Sequence, residues 1–181
     1  MNKREVKLKN GKIIHLRHIQ RQDVDCIWKI YNQVVDEGIY LPTFERVESM
    51  LEKLSWYNNL IEQENLCLVA VDPNLEINKN IVGQCTIENL DWETARHVAT
   101  LGILIEKNYR NLGLGRKLIE YSIQEAKKIS KKKLILTTLA TNEYAIRLYK
   151  SIGFKEVGRY SKQYLMNDKY IDEILMEIFL N

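Results

Sequence analysis

The second half of the chain constrains the fold most. An apolar strand pattern, "HVATLGILI" (His97 to Ile105), runs through "EKNYRNLGLG" into a helical stretch. There Ile119, Ile123, Ala126 and Ile129 recur at helical spacing. "KLILTTLA" (Lys133 to Ala140) follows, a continuous apolar run of the kind a strand carries when both faces are buried. Two strands joined through a helix packed on their sheet lie parallel in it, so the chain must contain at least one β-α-β crossover.

The flanking segments add elements that such a crossover does not require. "KIIHLR" (Lys12 to Arg17) reads as a strand. Val24, Ile27, Ile30, Tyr31 and Val34 mark a helix ending at Gly38, a residue suited to the left-handed C-cap. A second helix is expected from Thr43, with Val47, Met50, Leu51, Leu54 and Ile61 on one side. "NLCLVAVD" (Asn65 to Asp72) and "IVGQCTIENL" (Ile81 to Leu90) read as strands preceding the crossover. After it, "NEYAIRLYKSIG" is a short helix opened by Asn142 and closed by Gly153, and two strands around Asn167-Asp168 form a closing hairpin. The expected order is β-α-α-β-β-β-α-β-α-β-β. It describes an α/β (α+β-type) chain with a mixed sheet, antiparallel at both ends.

Composition excludes several function classes. The 181 residues are 45% hydrophobic and 28% charged, with only two prolines and no linker or repeat, which favours one domain over 1–181. A net charge of +3 is too mild to argue for nucleic acid, and the one basic knot, Lys127-Lys128 with Lys131-Lys132-Lys133, surrounds a predicted helix end, where cations suit the dipole. Cys26, Cys67 and Cys85 are odd in number and lack CxxC spacing, so neither a disulfide framework nor zinc is expected; a reducing, cytoplasmic setting fits. His15 and His18 have no further ligand nearby, and no metal is expected. "MNKREVKLKNGK" lacks the apolar core of a signal peptide, and no apolar run is long enough to cross a membrane.

Arg110-Asn111-Leu112-Gly113-Leu114-Gly115-Arg116 is the stretch with chemical content. It falls between a strand and a helix expected to start near Leu114. Amides at a helix N-terminus lack partners and sit at the positive end of its dipole. Glycines remove side chains that would keep a phosphate away, and Arg110 and Arg116 add charge. A Walker A loop fails for want of Lys-Ser/Thr, and a GxGxxG fingerprint fails at Leu118. A plain glycine turn and an anion cradle both remain open on these residues alone.

Arg110-x-x-Gly113-x-Gly115 does not stand alone, because "NEYAIRLYKSIGF" follows the buried strand. The ensemble, from about Ile81 to Phe154, resembles the GNAT (GCN5-related) superfamily of acetyl-CoA-dependent N-acetyltransferases, and the element order extends the likeness over nearly the whole chain. The resemblance implies a GNAT fold, with acetyl-CoA in the cleft where strand 97–105 splays from strand 133–140. Its pyrophosphate would lie on the main chain of Arg110, Asn111, Leu112, Gly113, Leu114, Gly115 and Arg116, and its pantetheine arm along Ile103, Leu104 and Ile105. Asn142, otherwise a helix N-cap, would also bond that arm. Tyr149, otherwise a core residue, would be the general acid toward the departing coenzyme A thiolate. Gly102, inside the strand, is compatible with a bulge or close backbone approach and equally with tight packing.

The general base departs from the resembling pattern. Some members carry a glutamate on the strand before the loop, but "HVATLGILI" has no carboxylate. Glu88, near the end of the neighbouring strand, is the candidate, with Asp91 and Glu93 behind it; water and proximity alone are the alternative. Asp36 and Glu37 stand at a helix C-terminus, where the dipole disfavours anions. With Tyr40 they are candidates to meet a cationic acceptor amine; solvated helix-end charges are the plain reading. The implied activity is acetyl transfer to a small amine, with protein N-terminal acetylation or a non-catalytic coenzyme A-binding module as alternatives. The resemblance also implies that the closing hairpin, with Tyr160, Tyr164, Leu175 and Phe179, supports a homodimer.

Overall fold

The parallel crossover forms at the centre of one eight-stranded sheet. In the computed structural model, which describes residues 3–180, the elements are β1 (Arg4–Lys7), β2 (Ile13–His18), α1 (Val24–Glu37), α2 (Met50–Glu62), β3 (Leu66–Val71), β4 (Ile81–Asn89), β5 (Val98–Ile105), α3 (Leu114–Lys128), β6 (Lys133–Leu139), α4 (Glu143–Ile152), β7 (Lys155–Met166) and β8 (Lys169–Phe179). The strand order is β1-β2-β3-β4-β5-β6-β8-β7. β5 and β6 are the parallel pair, and every other pairing is antiparallel. Of the expected span 1–181, Met1, Asn2 and Asn181 lie outside the described residues.

Alternation along the strands sends apolar side chains to two cores. Cys85, Ile87, Ala99, Leu101, Leu134, Leu136, Ile174 and Met176 face α3 and α4, where Leu114, Leu118, Ile119 and Tyr149 meet them. Cys67, Val69, Val71 and Ile81 face the opposite side, under Ile27, Ile30 and Val34 of α1 and Leu60 of α2. α1 ends at Gly38, which takes the left-handed conformation (φ 65°) and donates its N–H to Val35.

Two expectations need correcting. The order gains an N-terminal strand: β1 pairs with β2 across Leu8–Lys12, and its short run of charged residues carries little apolar alternation to reveal it. The second helix starts at Met50, not at Thr43. Asn32 explains the delay, since its side chain both donates to the Val47 carbonyl and accepts from the Val47 N–H, each at 2.9 Å. With both backbone groups engaged, Val47 cannot join a helical ladder, and Ser49 becomes the N-cap.

Candidate active site

The parallel pair separates after three residues. β5 and β6 are in register at Val98↔Lys133, Ala99↔Leu134 and Thr100↔Ile135, and the ladder stops there. From Leu101 onward β5 keeps its partner on the β4 side only. The hydrogen-bond phase shows which backbone groups face the gap. Glu106 N–H donates to the Val82 carbonyl, so by antiparallel alternation Leu104 and Gly102 also bond toward β4, whereas Leu101, Ile103 and Ile105 turn toward β6. The main chain of Ile103 and Ile105 thus borders the split, as the resemblance implies, but that of Leu104 points away, and its side chain packs under α1.

The turn after β5 is held from below. Buried Asp72 accepts the Tyr109 hydroxyl at 2.6 Å, Lys12 Nζ at 3.3 Å and the Asn74 N–H at 2.9 Å. Burial alone pushes the Asp72 carboxyl up, but these three donors outweigh it and hold it below the usual range. Asn111 (φ 61°) and Gly113 (φ 86°) are both left-handed. Open space surrounds the position a Gly113 Cβ would take, with Lys9 no nearer than 3.9 Å, so backbone conformation is what requires glycine there.

The loop is rich in free donors. Among the described residues, the amides from Asn111 to Arg116 donate to no carbonyl or side chain, and Lys117 N–H, to Gly113 at 3.3 Å, is the first that does. They stand together at the N-terminus of a 15-residue helix. That arrangement receives an anion, and no protein carboxylate among the described residues fills it. Gly115 has a different use from the one its sequence position suggested: a Cβ there would meet Leu148 Cδ2 at 3.2 Å, so its lack of a side chain lets α3 approach α4.

The arginines are spent on structure. Arg110 donates its Nε to the Ile105 carbonyl at 2.9 Å and grips Glu37 with both terminal nitrogens at 2.8 and 2.6 Å. Its guanidinium also lies 4.8 Å from the centre of the Tyr40 ring. Arg116 turns to Glu120 and Ser151, beside a cavity of about 460 Å³ between α3, α4 and the end of β8. Arg110 is thus held by a part-buried pair, and Arg116 by a surface one. Asp36 is likewise paired, with Arg46. Asp36 and Glu37, the candidates to meet an acceptor amine, are thus both ion-paired, and Glu37 with Tyr40 ties the end of α1 to the glycine loop.

Asn142 and Tyr149 belong to the N-cap and the body of α4. Asn142 caps the helix by accepting the Ala145 N–H at 3.3 Å, leaving its Nδ2 without a partner among the described residues. Tyr149 is buried against Phe154, and its hydroxyl makes no hydrogen bond among the described residues. Burial drives its acidity down, with the Cys85 thiol adding to the effect, so the phenol holds its proton across the working range. Cys85 lies in the same core cluster as Tyr149 and sits beside Ile103 in the β4–β5 ladder.

On the other face, strand registers set out rows of side chains. Glu88, Thr100, Ile135 and Glu177 form one; past the end of the β5–β6 ladder the pairs Thr86–Gly102 and Gln84–Leu104 stand on one side of the split, and Thr137–Leu175 and Leu139–Glu173 on the other. Gly102 and Thr137 are exposed although both lie in central strands. Small residues thus floor an opening through the sheet, and a Cβ on Gly102 would collide with Thr86 Oγ1 at 2.9 Å. Glu88 is exposed at the edge of this floor, without an ion pair among the described residues.

The split parallel pair, the run of free helix-end amides and the buried phenol lie along one stretch of chain from β5 to α4. The model of the Acetyltransferase (GNAT) family matches residues 36–154, and the chain belongs to that family of N-acetyltransferases. It is similar to the L-amino acid N-acetyltransferase AaaT of Escherichia coli (strain K12), 27% identical over 90% of this chain and 96% of the relative. It is also similar to an N-alpha-acetyltransferase of Sulfurisphaera tokodaii, 29% identical over 82% and 84%. A GNAT-family acetyltransferase structure from Streptococcus pneumoniae superposes with a TM-score of 0.79 at 25% identity, covering 93% of this chain and 99% of that one. The yncA structure from Salmonella typhimurium, which contains acetyl-CoA, shares the fold at a TM-score of 0.82 and 22% identity, covering 93% and 94%. No helix among the described residues is long and apolar enough to cross a membrane.

Proposed function

We propose that residues 1–181 act as one catalytic unit that transfers the acetyl group of acetyl-CoA to a small primary amine. The observation that carries this reading is the opening of β5 from β6 directly beneath the unpaired amides of 111–116. Acetyl-CoA as co-substrate supplies the thioester carbonyl that the amine attacks. The amides of Asn111 to Arg116 suit its pyrophosphate, and the gap-facing main chain of Ile103 and Ile105 suits the peptide-like pantetheine arm, with Asn142 Nδ2 as a further donor.

The acceptor enters over Gly102 and Thr137. Its neutral nitrogen forms the new C–N bond as the C–S bond breaks, and both proton movements fall to groups of this chain. Tyr149 passes its phenolic proton to the leaving sulfur; burial disfavours a thiolate beside it as it disfavours the phenolate, so burial of the phenol does not by itself oppose the transfer, and reprotonation of the tyrosine from solvent completes it. The excess proton on nitrogen leaves through Glu88, directly or by way of water. Atoms and charge then balance over the cycle.

Thiol release from acetyl-CoA across polyamines, aminoglycosides, amino acids and N-terminal peptides tests the proposal. Tyr149→Phe should lower kcat by roughly 10²-fold while leaving the fold and the KM for acetyl-CoA near wild type. Wild-type turnover in that folded variant would remove Tyr149 from the chemistry. The similarity to the Sulfurisphaera tokodaii enzyme supports a second reading, acetylation of a protein N-terminus, which the peptide arm of the panel decides.

A further inference from the structure

Glu173 is a carboxylate that the proposed chemistry leaves unused. It is 8% exposed, and one oxygen accepts the Tyr164 hydroxyl at 2.9 Å. No lysine, arginine or histidine among the described residues pairs with it. Its neighbours on β8 are provided for: Glu177 pairs with Lys133, and Asp172 pairs with Arg159 and accepts the Lys162 N–H. Withdrawing most of a carboxylate from water with a single neutral donor in return carries a cost. A rule broken at one residue of an otherwise satisfied strand asks for a functional reason.

Three further observations indicate what that reason is. The other Glu173 oxygen receives no hydrogen bond among the described residues, yet Trp28 Nε1 is the one fully buried side-chain N or O atom without a partner among them, so the Glu173 oxygen still opens to solvent. Alternation puts Glu173 opposite core-facing Ile174 and Met176, on the acceptor side of the sheet. There it lies in register with Leu139 and one strand beyond the split. Finally, the β7 ladder slips between Tyr160 and Tyr164, with Lys162 at φ 54°, and this bulge brings the Tyr164 hydroxyl to the carboxylate and holds its orientation.

We propose that Glu173, oriented by Tyr164, binds a cationic group of the acceptor remote from the reacting amine, so that the enzyme selects diamines and polyamines. This rests on the acetyltransferase reading above. Glu173 is separated from β5 by β6 and by the split, so it stands farther away than the roughly 10 Å that two paired strand spacings give; once the reach of the glutamate is subtracted, the remaining distance suits the span of an extended diamine or polyamine. An acceptor carrying a carboxylate at that end meets an anion instead and is disfavoured.

The test compares acceptors of one length: cadaverine, n-hexylamine and ε-aminocaproate. A charge-assisted contact predicts a wild-type kcat/KM for cadaverine roughly tenfold or more above that for n-hexylamine, with ε-aminocaproate lowest. In E173Q the cadaverine-to-hexylamine ratio should fall about tenfold, Y164F should lower it less, and E173D should restore part of it. A wild-type ratio near one, or a ratio unaltered in folded E173Q, overturns the assignment. Calorimetric titration of cadaverine into wild type and E173Q separates the two proposals. If no acceptor releases thiol, the acetyl-transfer reading fails, while weaker cadaverine binding in E173Q still supports the site and equal binding refutes it.

Discussion

Glu37→Gln probes the contact that joins the two halves of the site. The Glu37 and Arg110 side chains are 17% and 22% exposed, and two hydrogen bonds of 2.6 and 2.8 Å join them. A bond to a charged partner contributes about 1.5–3 kcal/mol net. The pair is not fully buried, so solvent screening places it between a surface bridge and a dry one. The glutamine amide would keep one acceptor oxygen and turn an NH₂ toward the guanidinium, losing one bond and the charge. We expect a loss of about 2 kcal/mol, which for a domain of this size lowers Tm by roughly 4–8 °C. Because Arg110 also holds the Ile105 carbonyl at the edge of the split, coenzyme A binding should weaken as well. A double-mutant cycle with Arg110→Gln, read by urea denaturation and by calorimetric coenzyme A titration, isolates the pair. Coupling below about 0.5 kcal/mol, the usual additivity error, in both measurements would falsify the view that this bridge organises the loop.

Other perturbations follow from the same contacts. Gly113→Ala should cost about 1 kcal/mol, the left-handed strain less the entropy it removes from the unfolded chain. Gly115→Ala, with its Cβ 3.2 Å from the flexible end of Leu148, should be near neutral because helix propensity offsets the crowding; thermal melts compare the two, and an equal loss would contradict the distinction. Asp72→Asn should lower stability by about 2–3 kcal/mol, since it weakens a buried acceptor serving Tyr109 and Lys12, and hydrogen exchange should show faster opening of 107–113. Burial raises the Cys85 thiol to about 12 and Tyr149 further, so the native state holds protons that the unfolded chain releases. Stability should therefore be intact below about pH 9, fall above it by about 1.4 kcal/mol per pH unit for Cys85, and fall twice as steeply above about pH 10, where Tyr149 adds its share; Cys85→Ala should make that slope shallower.

Sequence and structure divide this protein along a physical line. The parallel crossover, both core helices beside it, the Gly38 and Gly153 ends and the Asn142 cap could be read directly. They depend on period, capping and turn chemistry within a few residues, which local sequence carries. The glycine loop was legible as a conformational demand, and Gly113 meets it. Pairings over long separations were not legible: Asn32 holding Val47 out of a helix, Arg110 turning from a phosphate site to Glu37, 73 residues away, or Gly115 facing Leu148. Each depends on which strands and helices become neighbours, and no local pattern encodes that. Glu173 marks the boundary. Its period-2 position between Ile171 and Leu175 set it on a face shared with apolar residues, a signal present in the sequence. That it would be buried with a tyrosine and, among the described residues, no cation, one strand from the split, was decided only when β8 docked against β6 and the bulge in β7 delivered Tyr164.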